Sequence, residues 1–404
     1  MIKRIEKSKA EGIILSPTSK SVAHRMLIGA AMCNGQMSVI RRITPCEDVL
    51  ATIDCLRALG VKIEYSSDVV TVFGIDFLSA LPSGGLDCRE SGSTLRFLIP
   101  MALLSGYEAK FIGSERLMER PQGVYEEIAC ERGLTFIKAN NSIKVCGPLS
   151  GGEYRIDGSV SSQFITGLLF ALSALKEDSR IIISPPIESK SYIEITISVM
   201  SKFGVKVIWE NDTTLFIKGG QAYNPIDLTV EGDWSGAAFL EAFNHIGGNV
   251  KINGLDEESR QGDRVCKELF TRLDEGFADI NIEDCPDLAP ILFTVAAYKN
   301  GGRFLGTRRL KIKESDRAEV MREELSKFGA ELIIEENSVS VLKRDLHSPS
   351  EILLGHNDHR IVMSLAVLCS IYGGEIEGCE AVKKSYPNFF EDIKQLGIQH
   401  YEIN

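Results

Sequence analysis

Leu56-Arg57-Ala58-Leu59-Gly60-Val61-Lys62-Ile63 reads as the last turn of a helix, a glycine, and the start of a strand. The glycine stands where a chain leaving a helix needs positive φ, the conformation that glycine alone adopts without steric penalty. The same punctuation returns at Gly133, Gly204, Gly276, Gly329 and Gly397, with gaps of 73, 71, 72, 53 and 68 residues. Several of these glycines precede alternating strand-like runs.

A second series runs out of phase with the first. Ser21, Ser93, Ser162, Ser235, Asp287 and His359 each stand just before an apolar helical pattern, with gaps of 72, 69, 73, 52 and 72. Both series shorten at the same place. Six copies of one mixed α/β unit, three in each half of the chain, account for that coincidence. The period exceeds that of common solenoids, so the expectation is two similar domains. Helical stretches such as 164–175 and 361–368 are apolar on most faces, which predicts buried helices. If the units share an orientation, the polar helix starts gather on one side of each domain, and the two sets can face each other across a cleft.

Length and composition agree with this plan. A chain of 404 residues exceeds one ordinary core, and 44% hydrophobic with 25% charged residues is typical of a globular protein. No apolar run reaches the roughly 18 residues of a membrane span, and residues 1–7 lack a signal-peptide core, so a cytoplasmic protein is expected. The ten cysteines include no C-x-x-C pair and are expected to be reduced and mostly buried. A net charge of -11 disfavours nucleic acid and anionic membranes as partners.

Against that acidic background, the helix starts carry cations. In Ser19-Lys20-Ser21-x-x-x-Arg25, the apolar stripe Val22, Met26, Leu27, Ala30 and Ala31 puts Ser21 near a helix N-terminus and Arg25 one turn later, an arrangement suited to an anion. Its blander reading is a serine cap with surface cations. Glu90-Ser91-Gly92-Ser93-Thr94-x-Arg96 offers small residues for close backbone approach, with Pro100 suggesting a kink in the helix beyond it. Arg120 lies immediately before Pro121, which is expected in the first turn of a helix. Ser159, Ser161, Ser162 and Gln163 supply hydroxyls and an amide. Asp287 is an N-cap or a general base. The run Lys311, Lys313, Glu314, Asp316, Arg317 reads as a solvated helix face or part of a site. His356 and His359 lack a further ligand cluster, so no metal is expected. No Walker loop, G-x-G-x-x-G or activated nucleophile pattern is evident.

Taken together and in order, Ser19-Lys20-Ser21-x-x-x-Arg25, Ser91-Gly92-Ser93-Thr94-x-Arg96, Arg120-Pro121, Ser159-x-Ser161-Ser162-Gln163, Lys313-Glu314-Ser315-Asp316-Arg317 and Asn357-Asp358-His359-Arg360 resemble the signatures of the 3-phosphoshikimate 1-carboxyvinyltransferases, or EPSP synthases, along essentially the whole chain. The resemblance implies two inverse α/β barrel-like domains of three units each, 19–228 and 1–18 with 229–404, with buried parallel helices and a ligand cleft between them. It implies transfer of the enolpyruvyl group of phosphoenolpyruvate to the 5-hydroxyl of shikimate 3-phosphate by a monomer without metal or organic cofactor. Lys20, Ser21, Arg25, Ser161, Ser162, Gln163, Ser189, Tyr192, Asp287 and Lys313 would bind shikimate 3-phosphate. Lys20, Gly92, Arg120, Gln163, Arg317, Arg360 and Lys384 would hold phosphoenolpyruvate, with His359 nearby. Glu314 and Asp287 are the candidate acid and base, assisted by Lys20 and Lys313. A carboxylate among cations loses basicity, so an acidic Glu314 needs the substrate anions to offset that field. Glu90 and Ser93 depart from the family's usual Asn and Thr. The rival readings are an enolpyruvyl transferase acting on UDP-N-acetylglucosamine, whose first motif has Asn after the Lys and which uses a loop cysteine, and a non-catalytic anion-binding relative.

Overall fold

Five of the six spaced glycines take left-handed backbone, with φ of 99° at Gly60, 65° at Gly133, 84° at Gly204, 88° at Gly329 and 97° at Gly397. Each leads directly into the fourth strand of a four-stranded sheet: Lys62–Ser66, Thr135–Ala139, Val207–Asn211, Glu331–Ile334 and His400–Ile403. Gly276 differs. Its φ of 163° is ordinary extended backbone, and it leads into Ala278–Asn281, the first strand of the following sheet. The hairpin that the other units insert at this point is missing, which explains the gap of 53. The last carbonyls of helix Cys266–Glu275 find another donor: Asn300 Nδ2 bonds Leu273 O at 3.0 Å and Asp274 O at 3.1 Å, so a left-handed glycine turn is not needed there.

The computed structural model describes residues 1–403, and these divide into two compact units: 1–19 with 231–403, and Lys20–Val230. The divisions fall after Ser19 and Val230, one and two residues later than the expected 18 and 228. Each unit has its own apolar core.

Among the described residues, five four-stranded sheets share one order, in which the first two strands are parallel and the remaining two pairings antiparallel. In the sheet built from Gly152–Asp157, Ser179–Ser184, Thr214–Ile217 and Val207–Asn211, the register sets Tyr154 opposite Ile181 and Ile181 opposite Leu215, and all three are buried. Three such sheets lie in the unit 20–230. The other unit has two, plus a parallel pair formed by Glu11–Leu15 and Asn249–Asn253. The chain's first strand, Ile2–Ile5, completes the last sheet between Gly374–Glu377 and His400–Ile403. A sheet whose strands come from both ends of the chain closes only when most of the chain is present.

The apolar helices are buried as expected. Lys20–Ala31, Gly92–Ala102 and Ser162–Ser173 belong to one unit; Trp234–His245, Ala289–Tyr298 and His359–Tyr372 pack together in the other. Every member of the polar series except Asp287 is the first or second residue of its helix. Ser91, Ser161 and Asp358 cap three of these starts, accepting from Thr94 N, Gln163 N and Arg360 N.

Pro100 lies inside helix Gly92–Ala102 and has no N–H for the carbonyl of Arg96. Tyr125 Oη donates to that carbonyl instead, at 2.5 Å. Gly167 lies against the same spot, where an added methyl carbon would come within 2.5 Å of Tyr125 Oη and 2.9 Å of Pro100 Cγ. Gly167→Ala is therefore expected to cost about 1–3 kcal/mol through overpacking, read as a lower urea midpoint. Gly123→Ala, with nothing within 4 Å of the new carbon, serves as the control and leaves the midpoint unchanged or slightly raised. Equal midpoints for the two variants would contradict this packing account.

Candidate functional site

In the unit 20–230, Lys20 opens its helix and its ammonium pairs with Asp48 Oδ2 at 2.7 Å, with 16% and 13% of the two side chains exposed. Arg25 is buried one turn on. It donates to Ser21 O at 2.7 Å, Thr196 Oγ1 at 2.8 Å, Tyr192 O at 3.1 Å and Thr166 Oγ1 at 3.4 Å, and its guanidinium lies over the Phe97 ring. All of these partners are neutral, and burial pulls the Arg25 pKa down to about 9. A buried cation without a carboxylate favours an anion brought close to it. Ser189, the residue before helix Lys190–Lys202, has left-handed backbone, φ 57°, and is buried.

A second group forms around Gln163. Its Oε1 accepts from Arg96 Nη1 at 2.8 Å and its Nε2 donates to Ser93 Oγ at 3.1 Å, while Arg96 Nη2 reaches Pro121 O at 2.9 Å. Arg120 is buried beside Gly92, where a methyl would sit 2.7 Å from Arg120 Nη1. Glycine thus admits the guanidinium to the helix start. The expectation for Pro121 needs correction. Arg120 closes the short helix Glu115–Glu119, Gln122 is the cap of the next, and that helix begins at Gly123, so Pro121 precedes the cap. The reason is local: Ser114 caps an extra helical turn ahead of Arg120 by accepting from Leu117 N.

The other unit centres on Asp287, which is the cap residue of neither helical segment beside it; those positions fall to Cys285 and Leu288. Asp287 lies in the turn Pro286–Leu288, and its carboxylate takes Lys313 Nζ at 3.2 Å and Arg317 Nη1 at 2.9 Å on Oδ1, and Arg360 Nη2 at 2.9 Å on Oδ2. Arg317, 1% exposed, also bonds Glu314 Oε2 at 2.7 Å and Asp358 Oδ2 at 2.8 Å. Lys313, Glu314 and Arg317 of the densely charged run are therefore drawn into this group, while Lys311 is exposed. Burial lowers Arg317's pKa, but Asp358, Glu314 and Asp287 outweigh it and hold the guanidinium above its ordinary range. For Lys313 burial wins over Asp287, and the pKa falls to about 8. Lys384 Nζ donates to Asn357 O at 2.5 Å, and His359 is buried at the first position of its helix.

Asp48, Thr166, Thr196 and Asp263 carry no mark in the sequence. Asp48 reads as a routine first-turn acid of helix Glu47–Ala58. Asp263 follows Gln261-Gly262 and is 4% exposed; burial, with Asp287's charge adding, pushes its carboxyl up to about 7. No periodic signal points to any of the four.

Two-unit α/β transferases share this architecture. An EPSP synthase from Acinetobacter baumannii superposes with a TM-score of 0.78 at 21% identity, over 99% of this chain and 100% of its own. The enolpyruvyl transferase NikO from Streptomyces tendae does so at 0.76 and 13%, over 99% and 98%. At these identities the likeness speaks for the fold. The family follows from sequence: the model of EPSP synthase (3-phosphoshikimate 1-carboxyvinyltransferase) matches residues 5–393. The 3-phosphoshikimate 1-carboxyvinyltransferase of Clostridium perfringens is 39% identical over 97% of both chains, and that of Clostridium kluyveri is 39% identical over 97% of this chain and 96% of its own. The chain belongs to the EPSP synthase family.

Proposed function

We propose that this chain transfers the enolpyruvyl group of phosphoenolpyruvate to the 5-hydroxyl of shikimate 3-phosphate, releasing phosphate. The observation that carries this reading is the family match across residues 5–393, with relatives of that name at 39% identity over nearly the whole chain. Both also favour a shikimate acceptor over UDP-N-acetylglucosamine. No described helix is long and apolar enough to cross a membrane.

Lys20, Ser21, Arg25, Ser161, Ser162, Gln163, Ser189 and Tyr192 hold shikimate 3-phosphate, together with Asp287 and Lys313. Lys20, Gly92, Arg120, Gln163, Arg317, His359, Arg360 and Lys384 hold phosphoenolpyruvate. Asp287 takes the proton of the 5-hydroxyl as the hydroxyl oxygen bonds C2 of phosphoenolpyruvate, and Glu314 gives a proton to C3. The tetrahedral intermediate then expels phosphate and the double bond re-forms as C3 loses a proton. Supporting this, Asp287 and Glu314 are joined through one guanidinium, that of Arg317. Lys313, Arg317 and Arg360, all assigned to the substrates, are internally held by Asp287. Substrate anions compete for those cations, and a carboxylate relieved of them is the stronger base.

The purified chain, supplied with both substrates, is expected to release phosphate and the enolpyruvyl ether, seen by mass spectrometry and undiminished by a chelator. Folded protein that forms no product would overturn the reading. Glu314→Gln is expected to slow turnover by roughly 10²–10⁴-fold, the usual range for a proton-transfer group, with little loss of binding. Near-normal turnover would remove that role. Lys313 carries its charge below about pH 8 and loses it above. The ratio kcat/KM should therefore fall as pH rises through about 8, and Lys313→Arg should move the fall upward.

A further inference from the structure

Helix Arg317–Ser326 grips the turn before helix His359–Tyr372 at two points. At its start, Arg317 bonds Asp358. Two turns along the same face, Glu324 is fully buried, and its carboxylate accepts from Leu354 N at 2.8 Å and from Lys327 Nζ at 2.9 and 3.0 Å. His356 Nε2 lies 2.9 Å from its Oε1. Lys327 also donates to Ile352 O at 3.1 Å, so the segment 352–356 is tied down at three successive points.

That segment needs holding. His356 and Asn357 have φ of 47° and 53°, two consecutive non-glycine residues in left-handed backbone. L-residues take up such a pair only when their surroundings enforce it. The pair opens onto the charged edge of the site: the Asn357 carbonyl that takes Lys384, the Asp358 that takes Arg317, and Arg360, bound to Asp287. Glu323, Glu324 and His356 also bring ligand-type atoms within 4.8 Å of one another. The Lys327 ammonium, bonded to both Glu324 oxygens, marks the cluster as an ion-pair anchor, because a metal would meet a cation already seated there.

We propose that Glu324, acting through His356, is a positioning residue for the phosphoenolpyruvate part of the site: it enforces the left-handed pair that sets Lys384, Asp358 and Arg360 in register. This rests on the function proposed above. Neither Glu324 nor His356 belongs to the residues assigned there to contact substrate. A purely structural anchor would lower stability or the fraction of active protein, leaving both KM values in place. A positioning role acts selectively on one substrate.

The test is steady-state kinetics of the full chain and of Glu324→Gln and His356→Asn, varying each substrate in turn. Asn tolerates left-handed backbone but is too short to replace the imidazole's reach. Both variants are expected to raise KM for phosphoenolpyruvate by about tenfold, the scale of one lost hydrogen bond to a charged group, with KM for shikimate 3-phosphate within about twofold. If Glu324→Gln does not fold, His356→Asn decides. Unchanged KM values, or equal rises for both substrates, in variants of an active parent overturn this inference alone. A parent that turns over neither substrate overturns the functional reading, and the inference falls with it.

Discussion

A guanidinium that is 1% exposed must have its charge answered from within, and at Arg317 three carboxylates answer it. Glu314 and Asp358 come from the motifs Lys313-Glu314-Ser315-Asp316-Arg317 and Asn357-Asp358-His359-Arg360, and Asp287 comes from the separate turn Pro286–Leu288. Two of them also do something else: Asp358 caps a buried helix, and Asp287 holds Lys313 and Arg360. Removing one partner of such a pair leaves a buried charge, typically a loss of about 3–5 kcal/mol. The hub therefore ties the stability of its unit to the residues proposed to do chemistry. Arg25 in the other unit is the contrasting case. Its partners are hydroxyls and carbonyls, so burial prevails and its guanidinium holds its proton less tightly. An anion alongside would be favoured there, whereas at Arg317 an incoming anion exchanges with carboxylates already present.

The repeated fold makes these hubs possible. Each complete unit sends its glycine turn into a sheet's fourth strand and its buried helix toward a polar start, so three starts recur per half of the chain. Substrate phosphates and carboxylates suit such starts, where backbone N–H groups and the helix dipole favour negative charge. Departures from the repeat are informative. The unit without its hairpin has Asn300 capping the preceding helix, and the last sheet takes its third strand from the chain's N-terminus.

Much of this was legible because it is local and periodic. Among the described residues the glycine series marks the fourth strand of all five four-stranded sheets and the polar series five of the six buried helix starts, and the joint shortening of both gaps is the missing hairpin seen in one dimension. Helix 164–175 is observed as Ser162–Ser173 and helix 361–368 as His359–Tyr372, with the polar starts drawn into the first turn by their caps. Asp48, Asp263, Thr166, Thr196 and Glu324 were not legible. Each acts on a residue brought close by folding, such as Thr196, 171 positions from Arg25, and its own neighbourhood looks like any cap or helix face. Gly276 and Pro121 failed for a related reason, since a distant amide and an extra helical turn replaced what the local rule required.

Polar helix starts, with their fixed cations, are the proposed holders of the substrates' anionic groups. A crystal structure with shikimate 3-phosphate bound tests this most directly. The phosphate is predicted to lie against Ser161, Ser162 and Lys20, at the beginnings of helices Ser162–Ser173 and Lys20–Ala31. A phosphate bound at full occupancy with none of these residues within hydrogen-bond distance would contradict it.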